Sequence, residues 1–406
     1  MRILALTPTF FPIMGGAELG IHEICRRLAE NHAVRILTPV PTDRLAGAYG
    51  SEGEAPEPAR YDVLRFADRI NLKNAPGQSF LRGIVPPFSL SLAAVALRQA
   101  QAFRPDAVLA FYALPCGLAA ARIRKKRRIP VLLSLIGRDV PGPGIPPLWE
   151  RHVRRVMRAV DRTVFISEYC RQALGVTPGP GDDVIPFGVN SERFAVPAGG
   201  GAVREKLAIP PGARVLLSVQ RLDPWKRVDV LIRAQALLLK EADAYLVIGG
   251  KGPEAGRLRA LAHELGVSTR VLFAGYIPDR ELPLYHAMAD LFVFHSTYET
   301  FCLSLLQAMA AGNPIVSVRS TAIPELVRHG ENGLLVEPGD AAGLARSVLQ
   351  LLADAGMRGR FSRESRRRVR SGYDWGHVAR RYEAALEQCL TGGRGARGAA
   401  VTGQGA

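Results

Sequence analysis

Short runs of β-branched and aliphatic residues alternate with segments of helical spacing along the whole chain. Nearly continuous apolar runs are typical of strands buried on both faces of a parallel sheet. Because helical segments separate the runs, the pattern predicts an α/β fold with doubly wound, Rossmann-like sheets. The predicted strands are Ile3 to Leu6, Val34 to Leu37, Val63 to Phe66, Ala107 to Phe111, Val131 to Ser134, Thr163 to Ile166, Val184 to Ile185, Val215 to Val219, Tyr245 to Ile248, Val271 to Phe273, Leu291 to Phe294, Ile315 to Val318 and Leu334 to Val336.

The length of 406 residues is too great for one hydrophobic core, so two domains are expected. The pattern breaks near Asn190 to Pro210, where Ala-Val-Pro-Ala-Gly-Gly-Gly-Ala indicates a flexible connection. This predicts an N-terminal domain at 1–190 and a C-terminal domain at 201–372. A loop is predicted at 42–58 and a disordered tail at 391–406.

Composition narrows the class of protein. Apolar residues make up 48% and charged residues 22% of the chain, as in soluble globular proteins. No run of about 18 uncharged apolar residues occurs, so we expect no spanning helix, and the first apolar run is too short for a signal peptide. The five cysteines are widely spaced and suit neither a disulfide framework nor a metal site. A cytoplasmic location is therefore expected.

The net charge of +16 favours anionic partners such as nucleic acid, acidic lipid or phosphorylated substrates. Basic clusters lie at 122–128, 151–158 and 363–370. No aromatic interleaving accompanies them, so nucleic acid is not expected as a partner. The first two clusters predict attraction of the N-terminal domain to an anionic membrane surface, and a solvated Arg-rich helix face is the alternative. The last cluster is interpreted as a solvated helix face.

One segment carries most of the functional information, namely HSTYETFCLSLLQAMAAGNPIVSV at 295–318. It places Glu299 after an apolar run, then a helix-forming stretch and another strand. This order is typical of the ligand crevice of an open α/β sheet. The segment resembles the signature of glycosyltransferase family 4, in which Glu, seven residues and Glu precede Ala-Met-Ala-x-Gly. Here Gln307 replaces the second Glu, and Cys302 replaces a usual glycine.

The resemblance implies the GT-B architecture, with two doubly wound domains facing a cleft and a last helix, 375–390, that crosses back to the first domain. It also implies a retaining transferase that uses a nucleoside-diphosphate sugar. Arg221 and Lys226 match the family's Arg, four residues, Lys, and they would hold the diphosphate and stabilise its charge. Glu299 would accept hydrogen bonds from the donor sugar. The alternative for each is an ordinary charged loop residue.

The resemblance places further donor contacts at backbone and side-chain groups. The backbone amides at the start of a helix would donate hydrogen bonds to sugar or phosphate oxygens. Backbone groups after another strand would contact the edge of the nucleobase. The residues concerned are Phe301, Cys302 and Leu303, with Tyr276 and Ile277.

The sequence allows two interpretations of Gln307. In the family the corresponding Glu binds ribose hydroxyls, and a Gln carbonyl can accept one such bond. Ser304 and Gln307 also match a capping box, with Ser at the N-cap and Gln three residues later.

On the N-terminal side, Gly15 and Gly16 follow the first strand and allow backbone to approach a ligand. The resemblance places Gly16 beside the donor phosphate and Gly15 toward the acceptor. Arg138 and Asp139 follow Gly137 in a loop where many members carry His in place of Ile136. These two charged residues would contact the acceptor or pair with each other.

Together these features predict a hexosyltransferase that needs neither metal nor cofactor. The donor would be a nucleoside-diphosphate sugar and the acceptor a cell-envelope, polysaccharide or glycolipid molecule, with the enzyme at the inner face of the membrane. Two alternatives stay open: a catalytically weakened binding subunit, and a nucleotide-sugar epimerase or hydrolase of the same architecture. Absence of an Asp-x-Asp and of zinc-like spacing supports metal independence.

Overall fold

The computed structural model describes residues 1–13, 15–41, 59–68, 89–137, 139–143, 145, 147–177, 182–195 and 199–395. The chain forms two compact units. Unit 1 comprises Met1–Pro186 and Gly376–Ala406, and unit 2 comprises Phe187–Trp375. The predicted loop at 42–58 and the residue Arg138 lie outside the described residues.

Unit 1 is built on a seven-stranded sheet of order β3-β2-β1-β4-β5-β6-β7, in which every neighbouring pair is parallel. Its strands are β1 (Arg2–Leu6), β2 (Ala33–Pro39), β3 (Asp62–Phe66), β4 (Ala107–Phe111), β5 (Val131–Leu135), β6 (Arg162–Phe165) and β7 (Asp182–Val184). Its helices are α1 (Gly16–Asn31), α2 (Leu90–Phe103), α3 (Leu118–Arg127), α4 (Pro147–Arg158) and α5 (Glu168–Ala173). The order reverses between β1 and β4, which is the switch point of a doubly wound sheet.

Unit 2 is built on a six-stranded parallel sheet of order β10-β9-β8-β11-β12-β13. Its strands are β8 (Arg214–Val219), β9 (Ala244–Gly249), β10 (Val271–Gly275), β11 (Leu291–Val293), β12 (Ile315–Val318) and β13 (Gly333–Val336). Its helices are α6 (Ser191–Phe194), α7 (Gly200–Lys206), α8 (Val228–Leu238), α9 (Ala255–Glu264), α10 (Leu282–Met288), α11 (Leu303–Ala311), α12 (Ile323–Leu326), α13 (Ala341–Ala353) and α14 (Ala355–Gly372). The switch point lies between β8 and β11.

The sheet of unit 2 separates two apolar cores. Val215 and Leu217 of β8 pack in one core, whereas Leu216, which lies between them, packs in the other. Successive side chains of a strand point to opposite faces, so a strand covered on both sides must be apolar at every position. Each of the thirteen predicted strands has a counterpart in the structure.

The last helix, α15 (Trp375–Gly395), begins at the end of unit 2 and continues in unit 1. Tyr382 is fully buried there, and its hydroxyl lies 2.8 Å from the Ser134 hydroxyl of β5. The expectation of disorder from residue 391 is wrong for 391–395, which remain helical. The Thr391 hydroxyl bonds back to the carbonyl oxygens of Glu387 and Gln388, which continues the helical turn. Residues 396–406 lie outside the described part.

Within the described ranges, every helix is too short or too polar to cross a lipid bilayer.

Candidate functional site

The loop after β8 is held by the loop after β9. The backbone N–H of Gln220 donates to the carbonyl of Gly249 at 2.9 Å, and that of Leu222 donates to the carbonyl of Lys251 at 3.0 Å. Gly250 has φ +131°, and a side chain there would collide with the Gln220 carbonyl oxygen. The glycines of this turn therefore permit two backbones to touch, a role that we did not infer from the sequence.

Arg221 lies between these anchored residues. Its guanidinium makes two hydrogen bonds to the Asp223 carboxylate, at 2.9 Å and 3.2 Å. The Arg221 side chain is 44% exposed, whereas that of Asp223 is 8% exposed. A planar guanidinium has five N–H donors in a fixed fork, a geometry that suits carboxylate and phosphate groups. The carboxylate of Asp223 is a partner that the sequence motif did not reveal.

Lys226 and Glu299 form a buried ion pair, with 2.5 Å between Nζ and Oε1. Lys226 ends a short 3₁₀ turn, Pro224–Lys226, and Glu299 follows β11. Burial by itself lowers the pKa of the Lys226 ammonium, but the charge of Glu299 and its hydrogen bond outweigh burial, so the pKa is raised. The structure thus brings together two of the three residues predicted to be catalytic, at the switch point of unit 2.

Helix α11 follows directly on this pair. Its N-cap is Cys302, which makes no side-chain capping bond, and Ser304 is the second residue of the helix. The capping-box interpretation of Ser304 and Gln307 is therefore wrong. The helix starts earlier because Cys302 and Leu305 are buried in the apolar core, so packing decides the first turn.

The first amides of α11 have no partner within the helix, since the first four N–H groups of any helix lack one. Phe301, Cys302 and Leu303 supply the backbone at this end, as predicted. The Phe301 ring packs edge-on against Phe187, with 6.1 Å between centroids. Burial and the charge of Glu299 raise the pKa of the Cys302 thiol, which keeps it neutral. The backbone here offers donors to an anion.

Tyr276 and Ile277 follow β10 at the same edge of the sheet. The Ile277 side chain is 6% exposed and belongs to the apolar core. The Tyr276 ring lies 5.9 Å from the Lys251 ammonium, a cation–π contact. Of the predicted base-reading residues, Ile277 therefore has only its backbone available to a ligand.

In unit 1, Gly15 is the N-cap of α1 and Gly16 is its first residue. A side chain at Gly15 would crowd the Glu18 carboxylate, to which the Thr9 hydroxyl donates at 2.5 Å. Burial raises the pKa of Glu18 despite that hydrogen bond. Glu18 was missed in the sequence, where it is one acid in the first turn of a helix.

The carboxyl group of Asp139 holds the backbone of the turn after β4 in unit 1. It is 5% exposed, and its Oδ1 accepts a hydrogen bond of 2.7 Å from the Ala113 N–H. Burial raises the pKa of this carboxyl to about 7, against the opposing effect of backbone hydrogen bonds. The Asp139 carboxyl therefore binds the turn after β4. The predicted contact with the acceptor stays a prediction, and the predicted pairing with Arg138 involves a residue outside the described part of the chain.

The predicted catalytic residues and the predicted donor-binding residues other than Gly16 fall on unit 2. Gly16 and the predicted acceptor-side residues Gly15 and Asp139 fall on unit 1. Among the described residues, no group of three or more His, Cys, Asp or Glu side chains is placed to hold a metal ion.

Two parallel sheets of Rossmann order, with a cation pair at the strand ends of the second, are the elements of a GT-B glycosyltransferase. Family models match both halves of the chain: "Glycosyltransferase Family 4" at residues 14–193 and "Glycosyl transferases group 1" at residues 201–368. The chain belongs to glycosyltransferase family 4.

Characterised relatives span the whole chain. The GDP-mannose-dependent alpha-(1-6)-phosphatidylinositol monomannoside mannosyltransferase of Mycobacterium tuberculosis is 29% identical over 98% of this chain and 100% of its own length. The N-acetyl-alpha-D-glucosaminyl L-malate synthase of Bacillus anthracis is 27% identical over 94% of this chain and 96% of its own. The crystal structure of Anabaena Alr3699/HepE with UDP and glucose superposes with a TM-score of 0.76, covering 95% of this chain and 99% of that one at 22% identity.

Proposed function

We propose that this chain transfers a hexose from a nucleoside-diphosphate sugar to an acceptor hydroxyl, with retention of configuration and without a metal ion or cofactor. The observation that supports this most is the buried Lys226–Glu299 pair at the switch point of unit 2. Ligands of doubly wound sheets bind at the carboxyl ends of the strands at that point.

The proposed chemistry follows from where charge develops. As the bond between the sugar's anomeric carbon and the phosphate oxygen breaks, the leaving diphosphate gains negative charge. Lys226, Arg221 and the first amides of α11 stabilise that charge in place of a metal. Glu299 orients the sugar by accepting hydrogen bonds from its hydroxyls. The departing phosphate oxygen takes the proton of the acceptor hydroxyl on the same face, so no carboxylate nucleophile is needed.

The donor class is inferred from the relatives. The mycobacterial enzyme uses GDP-mannose, and the Anabaena structure holds UDP and glucose. We infer a GDP- or UDP-linked hexose for this chain.

A lipid-linked acceptor is supported by the surface of unit 1. Helix α4 buries Val153 and Val156 and exposes Arg151, Arg155 and Arg158. Leu148, at the start of the same helix, is 45% exposed. Basic and apolar groups side by side suit an anionic lipid surface, where each basic residue contributes about 1 kcal/mol of attraction. The mycobacterial relative is named for a phosphatidylinositol-based acceptor. We therefore infer peripheral attachment at a membrane.

The test of transfer is a matrix of GDP- and UDP-hexoses against phosphatidylinositol-based and other polyol acceptors, with products identified by mass spectrometry. We expect transfer from at least one donor, unchanged activity in excess EDTA, and NMR spectra in which the product keeps the donor's anomeric configuration. Inverted product or loss of activity with EDTA contradicts the proposed mechanism. Donor binding without turnover in any arm indicates a binding subunit.

The membrane inference has its own test. The triple variant Arg151→Gln/Arg155→Gln/Arg158→Gln should lose co-sedimentation with vesicles containing phosphatidylserine at low salt. A matched control is Arg360→Gln/Arg363→Gln/Arg370→Gln, which removes three exposed arginines from α14 of unit 2. Equal binding of wild type to neutral and anionic vesicles contradicts an electrostatic attachment.

A further inference from the structure

A hydrogen-bonded clamp surrounds the Lys226–Glu299 pair. The carbonyl of Trp225, the residue before Lys226, accepts from the Thr297 backbone N–H at 2.9 Å and from the Thr297 hydroxyl at 3.1 Å. Thr297 supplies the two shorter hydrogen bonds to that carbonyl, and the Ser296 hydroxyl donates a longer one at 3.4 Å. The 3₁₀ turn that ends at Lys226 is thereby attached to the segment after β11.

The loop after β12 attaches the same segment from its other side. The Ser320 hydroxyl donates to the Thr297 carbonyl at 2.8 Å. The Thr321 hydroxyl accepts from the backbone N–H of Glu299 at 2.9 Å. Thr321 has φ +45°, a left-handed conformation that is unusual for a β-branched residue. Such strain is retained only where the surroundings enforce it, and it concentrates at functional sites.

Lys226 and Glu299 are 73 residues apart in sequence. The turn that carries Lys226 comes from the loop after β8, and Glu299 comes from the loop after β11. The clamp links these two loops to each other and to the loop after β12. The Thr297 hydroxyl contacts the backbone next to Lys226, and the Thr321 hydroxyl contacts the backbone of Glu299. Neither Thr297 nor Thr321 carries a charge that could itself stabilise a diphosphate.

We propose that Thr297 and Thr321 are positioning residues that set the geometry of Lys226 and Glu299 for transfer. This inference rests on the proposed function. A displacement of about 1 Å in a reacting group can cost about a hundredfold in rate. Loosening either hydroxyl contact should therefore reduce the rate of transfer without removing any group that binds the donor.

The test uses Thr297→Val and Thr321→Val, which keep side-chain shape and remove only the hydroxyl. We expect kcat to fall by about tenfold or more, with the donor KM changed by less than about threefold. The conservative variants Thr297→Ser and Thr321→Ser should restore most of kcat. The matched control is Ser317→Ala, since the Ser317 hydroxyl is fully buried in the same sheet and donates to the Phe294 carbonyl at 2.9 Å.

A second readout is independent of catalysis. Crystal structures of the two valine variants should show the Nζ–Oε1 separation of the pair lengthened from 2.5 Å. Unchanged separation and unchanged kcat overturn the proposal, as does an equal loss of kcat in Ser317→Ala. If the wild type transfers no sugar, the proposed function fails, and the crystallographic separation alone then decides whether the clamp positions the pair.

Discussion

The two sheets follow the same winding order, but the loops at their carboxyl ends carry different charge. In unit 2 the cations are matched with carboxylates: Arg221 with Asp223, Lys226 with Glu299, and Arg227 with Asp229. In unit 1 the buried carboxyls of Glu18 and Asp139 instead bind a hydroxyl and a backbone N–H. Two sheets of the same winding order therefore carry different arrangements of charged groups, and the difference lies in a few residues at their carboxyl ends.

This difference in charge pairing affects which ligands the carboxyl end of each sheet can bind. A buried cation that is paired with a carboxylate stays charged. A diphosphate can bind the same cation alongside that carboxylate. Burial raises the pKa of both carboxyls of unit 1. The pKa of Asp139 rises to about 7, so this carboxyl is only partly charged at neutral pH. We therefore expect an anionic donor to bind unit 2 and neutral hydroxyl groups to bind unit 1.

The strongest test of the contrast removes the buried cation. Lys226→Met should reduce transfer by about a hundredfold. It should also destabilise unit 2 by about 3–5 kcal/mol, because Glu299 is left as an unpaired buried charge. The neutral double variant Lys226→Met/Glu299→Gln should regain stability in thermal melts without regaining transfer.

The exposed Lys240→Met serves as the control for that experiment. If the single variant keeps wild-type turnover of the donor, Lys226 does not stabilise the leaving group.

The corresponding test in unit 1 uses pH. The pKa of Asp139 is raised from 3.8 to about 7 in the folded chain, so the unfolded chain releases this proton first as pH rises. The contribution of Asp139 to stability is therefore full below pH 3.8 and is lost as pH rises to 7, on the order of 3–4 kcal/mol. Asp139→Asn has no such proton. Its melting temperature relative to wild type should rise steadily between pH 4 and pH 7, as measured by calorimetry, and a constant difference contradicts the prediction.

A smaller effect is expected from the carboxylate that pairs with Arg221. If Asp223 competes with the diphosphate for the exposed guanidinium, Asp223→Asn should tighten nucleoside-diphosphate binding by about tenfold or less, since solvent screens the pair. Asp243→Asn is the control, because Asp243 pairs with Arg270 at the amino end of β9. Weaker binding by Asp223→Asn in calorimetric titrations shows instead that Asp223 orients Arg221.

The smallest expected effect concerns Gln307, which is 7% exposed inside α11. If Gln307 faces the ribose, Gln307→Glu should tighten donor binding by about threefold, because a carboxylate accepts more strongly than an amide oxygen. Gln350→Glu, on the exposed face of α13, is the matched helix control. Equal affinity in wild type and Gln307→Glu excludes a ribose contact.

The strands could be predicted from the sequence because burial on both faces demands continuous apolar runs. A sequence motif identified Lys226 and Glu299 as candidate site residues. The motif did not predict that the two side chains pair directly, because the pairing joins loops that are distant in sequence. The start of α11 was misjudged because Ser304 fits a local capping pattern, whereas the buried Cys302 and Leu305 determine where the helix begins.

Other features left little trace in the sequence. No sequence pattern indicated that Gly250 permits close contact with the Gln220 carbonyl. Asp223 and Glu18 are single acids near predicted sites, and only three-dimensional proximity shows which group each one binds. Side-chain partners across loops are long-range properties, which local patterns do not encode.

The path of the chain through α15 has a consequence for protein synthesis. Unit 1 begins at Met1 but includes Gly376 and the residues after it, so unit 2 is inserted within unit 1. Every residue of unit 2 is synthesised before Tyr382, which is buried in the interior of unit 1. Domains generally fold as they emerge. The nascent chain therefore contains all of unit 2 before unit 1 is complete, because the last helix of unit 1 is synthesised at the end.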